Sequence, residues 1–145
     1  MKTVCLRIHH EASFAEAVER AARVLREGGV VAFPTETVYG LGANALDAEA
    51  VARIFTAKGR PSNNPLIVHT TSIERARGLC ATWPDAAARL AEVFWPGPLT
   101  MVLPKADCVP SIVTAGGPTV ALRIPRHPVA RALIETSTLE LAAPS

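Results

Sequence analysis

Short unbroken apolar runs alternate along this chain with longer segments of helical periodicity. Phe14, Ala17, Val18, Ala21, Ala22 and Leu25 recur three and four apart, which predicts an amphipathic helix. Ser13 followed by Glu16 reads as the capping box at its start, and Gly28-Gly29 ends it. Val30 to Phe33 is a continuous apolar run, the signature of a parallel strand covered on both faces, and Pro34 stops it. Asp47 is placed to cap a helix from Ala48 to about Ala57, with Val51, Ile54 and Phe55 facing inward. Leu66-Ile67-Val68 predicts a second short strand ending on His69. Ser72 to Leu79 and Asp85 to Phe94 read as helices, the second opened by Pro84. Trp95-Pro96-Gly97-Pro98 is a rigid turn with Trp95 as a packing residue. Thr100 to Leu103, Thr119 to Pro125 and the stretch from Leu139 to Ala143 read as strands, Pro128 to Glu135 as a helix, and Thr3 to Ile8 as a first strand. Pro110 to Val113 fits neither pattern. Strands alternating with helices predict an α/β domain with a largely parallel open sheet.

Composition narrows the class without naming a function. A chain of 145 residues that is 49% apolar and 19% charged buries a core of its own and is not a disordered segment. A net charge of +2 does not by itself predict nucleic-acid binding. Cys5, Cys80 and Cys108 are odd in number and far apart, with no CxxC pair, which favours reduced thiols and a cytoplasmic location over a disulfide or zinc framework. Met1 to Ile8 has too short an apolar run for a signal peptide, and no apolar segment is long enough to span a bilayer. His9 and His10 point to opposite faces of an extended chain, so solvated loop histidines explain them better than metal ligation.

The candidate chemistry gathers between Pro34 and His69. Thr35, Glu36, Thr37 and Tyr39, with Gly40 and Gly42, form a polar loop whose glycines permit a tight turn or a close approach to a ligand. An ordinary strand-to-helix connection explains the same composition. Lys58-Gly59-Arg60-Pro61 follows the second helix. Basic residues there complement a helix dipole, but the prolines and Ser62-Asn63-Asn64 around them describe an ordered loop in which Lys58 and Arg60 can meet phosphate oxygens. The glycine-lysine pattern of a P-loop is absent. His69 sits at a strand end, where ligands collect in open α/β sheets, although a lone histidine there is more often structural. Arg123 stands in an otherwise apolar strand. It either pairs with an anion or faces water at a sheet edge.

PTETVYGLG from Pro34, AKGRP from Ala57, NPLIVH from Asn64, WPGPLT from Trp95 and ALRIP from Ala121 together resemble the YrdC family of threonylcarbamoyl-adenylate synthases. Each motif is modest alone, but in this order they cover most of the chain. The resemblance implies a twisted sheet with flanking helices around a concave basic cavity. It implies a nucleotidyltransferase that joins L-threonine, bicarbonate or carbon dioxide, and ATP into L-threonylcarbamoyl-AMP and pyrophosphate. Other proteins of a threonylcarbamoyl-transferase complex then pass the group to tRNAs reading ANN codons. By the same resemblance Lys58 and Arg60 are the catalytic cations on the triphosphate, with Mg2+ accompanying the ATP. Asn64 and Thr119 also contact ATP, and Thr37, His69, Arg123 and Ser145 contact threonine. The family pattern continues beyond Ala143-Pro144-Ser145 with an alanine, an asparagine and a serine-glycine segment. Residues 1–145 are therefore expected to be a single domain lacking its C-terminal part, with an unpaired sheet edge and an incomplete ATP site.

Three other readings compete with an active synthase. One is a module that holds tRNA or double-stranded RNA without chemistry, which predicts salt-dependent binding and no pyrophosphate release. Another is an inactive truncated form. The third is the YrdC-like domain of hydrogenase-maturation carbamoyltransferases, which the absence of CxxC and the PTETVYGLG loop disfavour.

Overall fold

The Asp47 carboxylate accepts hydrogen bonds from the backbone N–H groups of Glu49 and Ala50, and so starts a helix where the sequence placed one. That helix belongs to a computed structural model describing residues 2–8 and 11–144; Met1, His9, His10 and Ser145 lie outside it. In chain order the elements are α1 (Glu11–Arg26), β1 (Val31–Phe33), β2 (Gly40–Asn44), α2 (Ala48–Lys58), β3 (Ile67–His69), α3 (Ile73–Gly78), α4 (Asp85–Phe94), β4 (Met101–Pro104), β5 (Thr119–Arg123), α5 (Pro128–Ser137) and β6 (Leu141–Ala143). The six strands form one open sheet in the order β1-β2-β6-β3-β5-β4.

The α/β class and the flanking helices match the sequence reading, but the sheet direction does not. Only β3 and β5 run parallel; β1–β2, β2–β6, β6–β3 and β5–β4 are antiparallel. Val30 to Phe33 is not covered on both faces either: β1 is an edge strand that buries Phe33 and leaves Ala32 exposed, so its unbroken apolar run marks neither a central position nor a parallel neighbour. The expected unpaired edge at the C-terminal strand is absent too. β6 lies inside the sheet between β2 and β3, and the edges are β1 and β4.

Pleating gives the sheet two faces. Val68, Leu122, Ala142 and Ala43 lie side by side on one of them. They pack with Val51, Ile54 and Phe55 of α2, Ala76 of α3, and Ala87 and Ala91 of α4. Leu141 and Ala143 point the other way, into a second cluster with Ala21, Ala22 and Leu25 of α1 and Ala130, Leu133 and Ile134 of α5. His69 and Arg123 fall on this second face, at the ends of the two parallel strands.

Three local differences have physical causes. Residues 3–8 form no strand; most are exposed, and Leu6 alone packs partly against the second cluster. α1 begins at Glu11, so Ser13 lies inside the helix instead of capping it. Gly40 to Asn44, read as loop because glycine disfavours strands, is β2. Its glycines serve packing. A Cβ on Gly42 would stand 2.5 Å from Phe33 Cε1, so the bare backbone makes room for the buried Phe33 ring. Among the described residues no helix is long and apolar enough to cross a membrane.

Candidate functional site

The parallel β3–β5 pair sets His69 beside Arg123 in register, and the antiparallel β3–β6 pair sets His69 beside Leu141. Three loops close around these two side chains. The loop before β2 brings Glu36 and Thr37, the turn after α4 brings Gly97, and the chain leaving β5 brings Arg126.

Arg123 is buried, with 6% of its surface exposed, yet its guanidinium is held on three sides. Nε donates to the Gly97 carbonyl at 3.0 Å, and Nη1 donates to Thr37 Oγ1 at 3.2 Å. Nη2 lies 2.5 Å from Glu36 Oε1, close enough for an ion pair. Nη2 is itself buried, and Glu36 is its ion-pair partner. The Gly97 backbone is fixed in turn by its own N–H, which donates to the Ile124 carbonyl at 2.8 Å. A Cβ at Gly97 would stand 2.6 Å from the Phe94 carbonyl oxygen, so the turn requires glycine. Trp95 packs as expected: its ring is buried against Trp83, and its indole N–H donates to the Leu99 carbonyl. Of the two readings of Arg123, the anion-paired one holds.

Glu36 ties the loops together. Its Oε2 accepts the Arg126 backbone N–H at 2.7 Å, and Arg126 Nη2 donates to the Pro96 carbonyl. Burial pushes the Glu36 carboxyl up. The N–H groups of Glu36 and Arg126 and the charges of Arg123 and Arg126 outweigh that, holding it below the usual carboxylate range. Thr35 Oγ1 bonds the Val38 carbonyl and sits 3.0 Å from Thr37 Oγ1, which shapes the loop that offers Thr37 to Arg123.

His69 is neutral at physiological pH. Burial foremost, and then the Arg123 charge, depress its pKa to about 4. Its Nδ1 faces the carbonyls of Ile67 (3.1 Å) and Leu141 (3.3 Å), so the neutral ring carries its proton on Nδ1 and leaves Nε2 as an acceptor. The Phe33 ring meets it edge-on at 5.9 Å, so Gly42 supports His69 through Phe33. A titration consequence follows. The unfolded chain binds a proton at His69 below about pH 6.5, whereas the folded chain binds one only below about pH 4. Between these values the unfolded state holds more protons, so stability is full above the window and is lost as pH falls through it, by about 3 kcal/mol in all. Urea titrations at pH 7.0, 5.5 and 4.5 are expected to show this decline, and His69→Gln to flatten it. An equal decline in the variant would remove His69 as its source.

The other predicted positions lie elsewhere. Gly59 takes a left-handed conformation (φ 62°) that ends α2 and turns the chain out between Lys58 and Arg60. Both basic side chains are exposed and have no hydrogen-bond or ion-pair partner among the described residues. Asn64 is exposed before β3, and Thr119 is exposed at the start of β5. Four residues of strand separate Thr119 from Arg123, about 13 Å. The structure therefore brings Thr37, His69 and Arg123 together at one end of the parallel pair, puts Asn64 before β3 and Thr119 at the start of β5, and carries Lys58 and Arg60 at the end of α2 and on the loop after it. Two open depressions of about 400 and 550 Å3 adjoin the loop after α2; Arg60 lines the first, Asn63 and Gly116 the second, and both share Ser62 and Ile112. Glu36, Arg126 and the Gly97 carbonyl were not singled out from sequence. An arginine in an apolar strand demands an anion, and Glu36 is the one acid in the PTETVYG loop, so that much of the signal was present.

All three cysteines are free thiols. Burial pushes Cys80 up to about 11, which keeps it protonated. No group of three or more His, Cys, Asp or Glu among the described residues is placed to hold a metal ion.

Residues 23–145 match the family model Sua5/YciO/YrdC, described as telomere recombination. The chain belongs to the Sua5/YciO/YrdC family. A threonylcarbamoyl-AMP synthase of Pyrococcus abyssi is 59% identical over 86% of this chain and 37% of its own length. One of Bacillus subtilis is 56% identical over 88% of the chain and 37% of its own length. The crystal structure of P. abyssi Sua5 complexed with L-threonine superposes with a TM-score of 0.90 at 54% identity, covering 97% of this chain and 40% of that one. The family domain is therefore present, and the chain spans little more than a third of these curated relatives.

Proposed function

We propose that this chain forms L-threonylcarbamoyl-AMP and pyrophosphate from L-threonine, bicarbonate or carbon dioxide, and ATP. The observation that carries the proposal is the buried Arg123 guanidinium, paired with Glu36 and set beside a neutral histidine and a threonine hydroxyl. A substrate carboxylate entering beside Glu36 can share the guanidinium with it through charge-assisted bonds. His69 Nε2 and Thr37 Oγ1 can hold the remaining polar atoms of a small hydroxy amino acid. The named activity of the relatives and the threonine bound to P. abyssi Sua5 support the same reading.

In this reading the amino nitrogen of threonine adds to carbon dioxide and gives up a proton, or adds to bicarbonate with loss of water, to form an N-carboxylate. An oxygen of that carboxyl group then takes the α-phosphorus of ATP, and pyrophosphate leaves. Lys58 and Arg60 stabilise the charge that builds on the departing phosphates, the largest electrostatic demand of the step. Asn64 and Thr119 contact the nucleotide, and Ser145, outside the described residues, is assigned to threonine by the family resemblance alone. The two residue groups frame a basic cavity across the strand ends. Mg2+ is read as accompanying the ATP. The product is consumed by proteins that transfer threonylcarbamoyl to tRNA in the cytoplasm.

The test is pyrophosphate release from ATP by the purified 145-residue chain. Release that requires both threonine and bicarbonate is the expected result. A folded chain that releases none would overturn the proposed activity, and RNA retention that weakens with salt would then favour a nucleic-acid-binding module.

A further inference from the structure

The charge around Arg123 is arranged for more than a carboxylate. Arg123 and Arg126 are cationic, His69 is neutral, and Glu36 is the one anion among them. A ligand bearing only a carboxylate would approach Arg123 with the Glu36 carboxylate already 2.5 Å from Nη2 and would be repelled by it. A ligand bearing a carboxylate and an ammonium on adjacent atoms meets no such conflict. Arg123 is nearly sealed, whereas 22% of the Glu36 side chain is open to solvent, so Glu36 is the charge of the pair that an entering ligand meets first. Each carboxylate oxygen accepts more than one hydrogen bond, so Glu36 keeps its hold on the Arg126 N–H while accepting another donor.

We infer that Glu36 binds the α-ammonium of the amino-acid substrate and is the residue that selects an α-amino acid over the corresponding hydroxy acid. The inference rests on the threonine reading of the site and deepens it. Arg123 and Glu36 act as a complementary pair, one charge for each end of the zwitterion. The Arg126 N–H and the Arg123 guanidinium hold Glu36 in its ionised form, which the role requires.

The experiment compares L-threonine with 3-hydroxybutanoate, which keeps the carboxylate and hydroxyl and lacks the ammonium. Calorimetric titrations use the 145-residue chain and its Glu36→Gln variant, whose folding is checked by circular dichroism. The wild-type chain is expected to prefer threonine by about tenfold or more. Glu36→Gln should weaken threonine and strengthen 3-hydroxybutanoate, because Arg123 loses its internal competitor, so the ratio collapses toward one. If Glu36 only positions Arg123, both ligands weaken in parallel and the ratio stays, which overturns the inference. A wild-type chain that binds threonine and discriminates no better than Glu36→Gln also overturns it while leaving the threonine reading intact. A wild-type chain that binds neither ligand overturns both. Should Glu36→Gln unfold, Glu36→Asp keeps the charge on a shorter arm and must retain the preference, though with weaker affinity.

Discussion

Replacing Arg123 by methionine is expected to cut L-threonine affinity by roughly a hundredfold or more and to destabilise the fold by about 2–4 kcal/mol. Methionine fills most of the space of the arginine stem and strands what the guanidinium held. The Gly97 carbonyl and Thr37 Oγ1 lose a donor, and Glu36 loses the cation that helps keep it ionised. The loss of affinity has a separate origin, the missing fork for the substrate carboxylate. Arg123→Lys separates the two effects. It keeps the charge beside Glu36 but cannot reach Gly97, Thr37 and a ligand together, so stability should recover in part while affinity stays low. Urea unfolding and threonine titration measure the two quantities. A folded Arg123→Met chain with wild-type threonine affinity would remove Arg123 from the site and take the carrying observation of the proposed function with it.

How much of this site was legible in the sequence depends on chain distance. Asp47 and Pro84 act within one turn of helix, and their capping and start signals placed the starts of α2 and α4. The helical stripe of α1 named the face that it gives to the second core cluster. Strand direction was out of reach, because the antiparallel insertion of β6 between β2 and β3 depends on contacts between segments far apart in sequence. β2 was missed for a related reason. Gly40 and Gly42 read as loop residues until Phe33 lies over them, and only tertiary packing puts it there. The site shows both limits. Arg123 was marked by the cost of burying a lone charge, and His69 by its strand end. Their shared environment was not marked, since the bond from Arg123 to Thr37 joins residues 86 apart. The resemblance supplied the roles of Lys58 and Arg60, which local chemistry left balanced between dipole complement and phosphate contact.

That balance is what the second large effect resolves. Lys58→Ala and Arg60→Ala are each expected to lower ATP-dependent pyrophosphate release by roughly 100- to 1,000-fold, the range for removing a donor that stabilises developing charge. Stability should fall by less than about 1 kcal/mol. Both side chains are exposed and unpaired among the described residues, so their removal opens no cavity and strands no buried partner. The dipole reading predicts the opposite profile. Lys58 in the last turn of α2 would cost a few tenths of a kcal/mol in stability, and turnover would be untouched. Arg60 lies beyond the αL glycine and outside the helix, so the dipole account gives it no role at all, and Arg60→Ala is the cleaner variant. Arg60→Lys adds a finer test: if the guanidinium grips phosphate oxygens in bidentate fashion, an ammonium in its place should recover only part of the rate. Threonine affinity should be unchanged in all three variants, because neither side chain bonds to Thr37, His69, Glu36 or Arg123. Wild-type turnover in both alanine variants would return Lys58 and Arg60 to the helix end and leave the nucleotide site to be found elsewhere on the sheet.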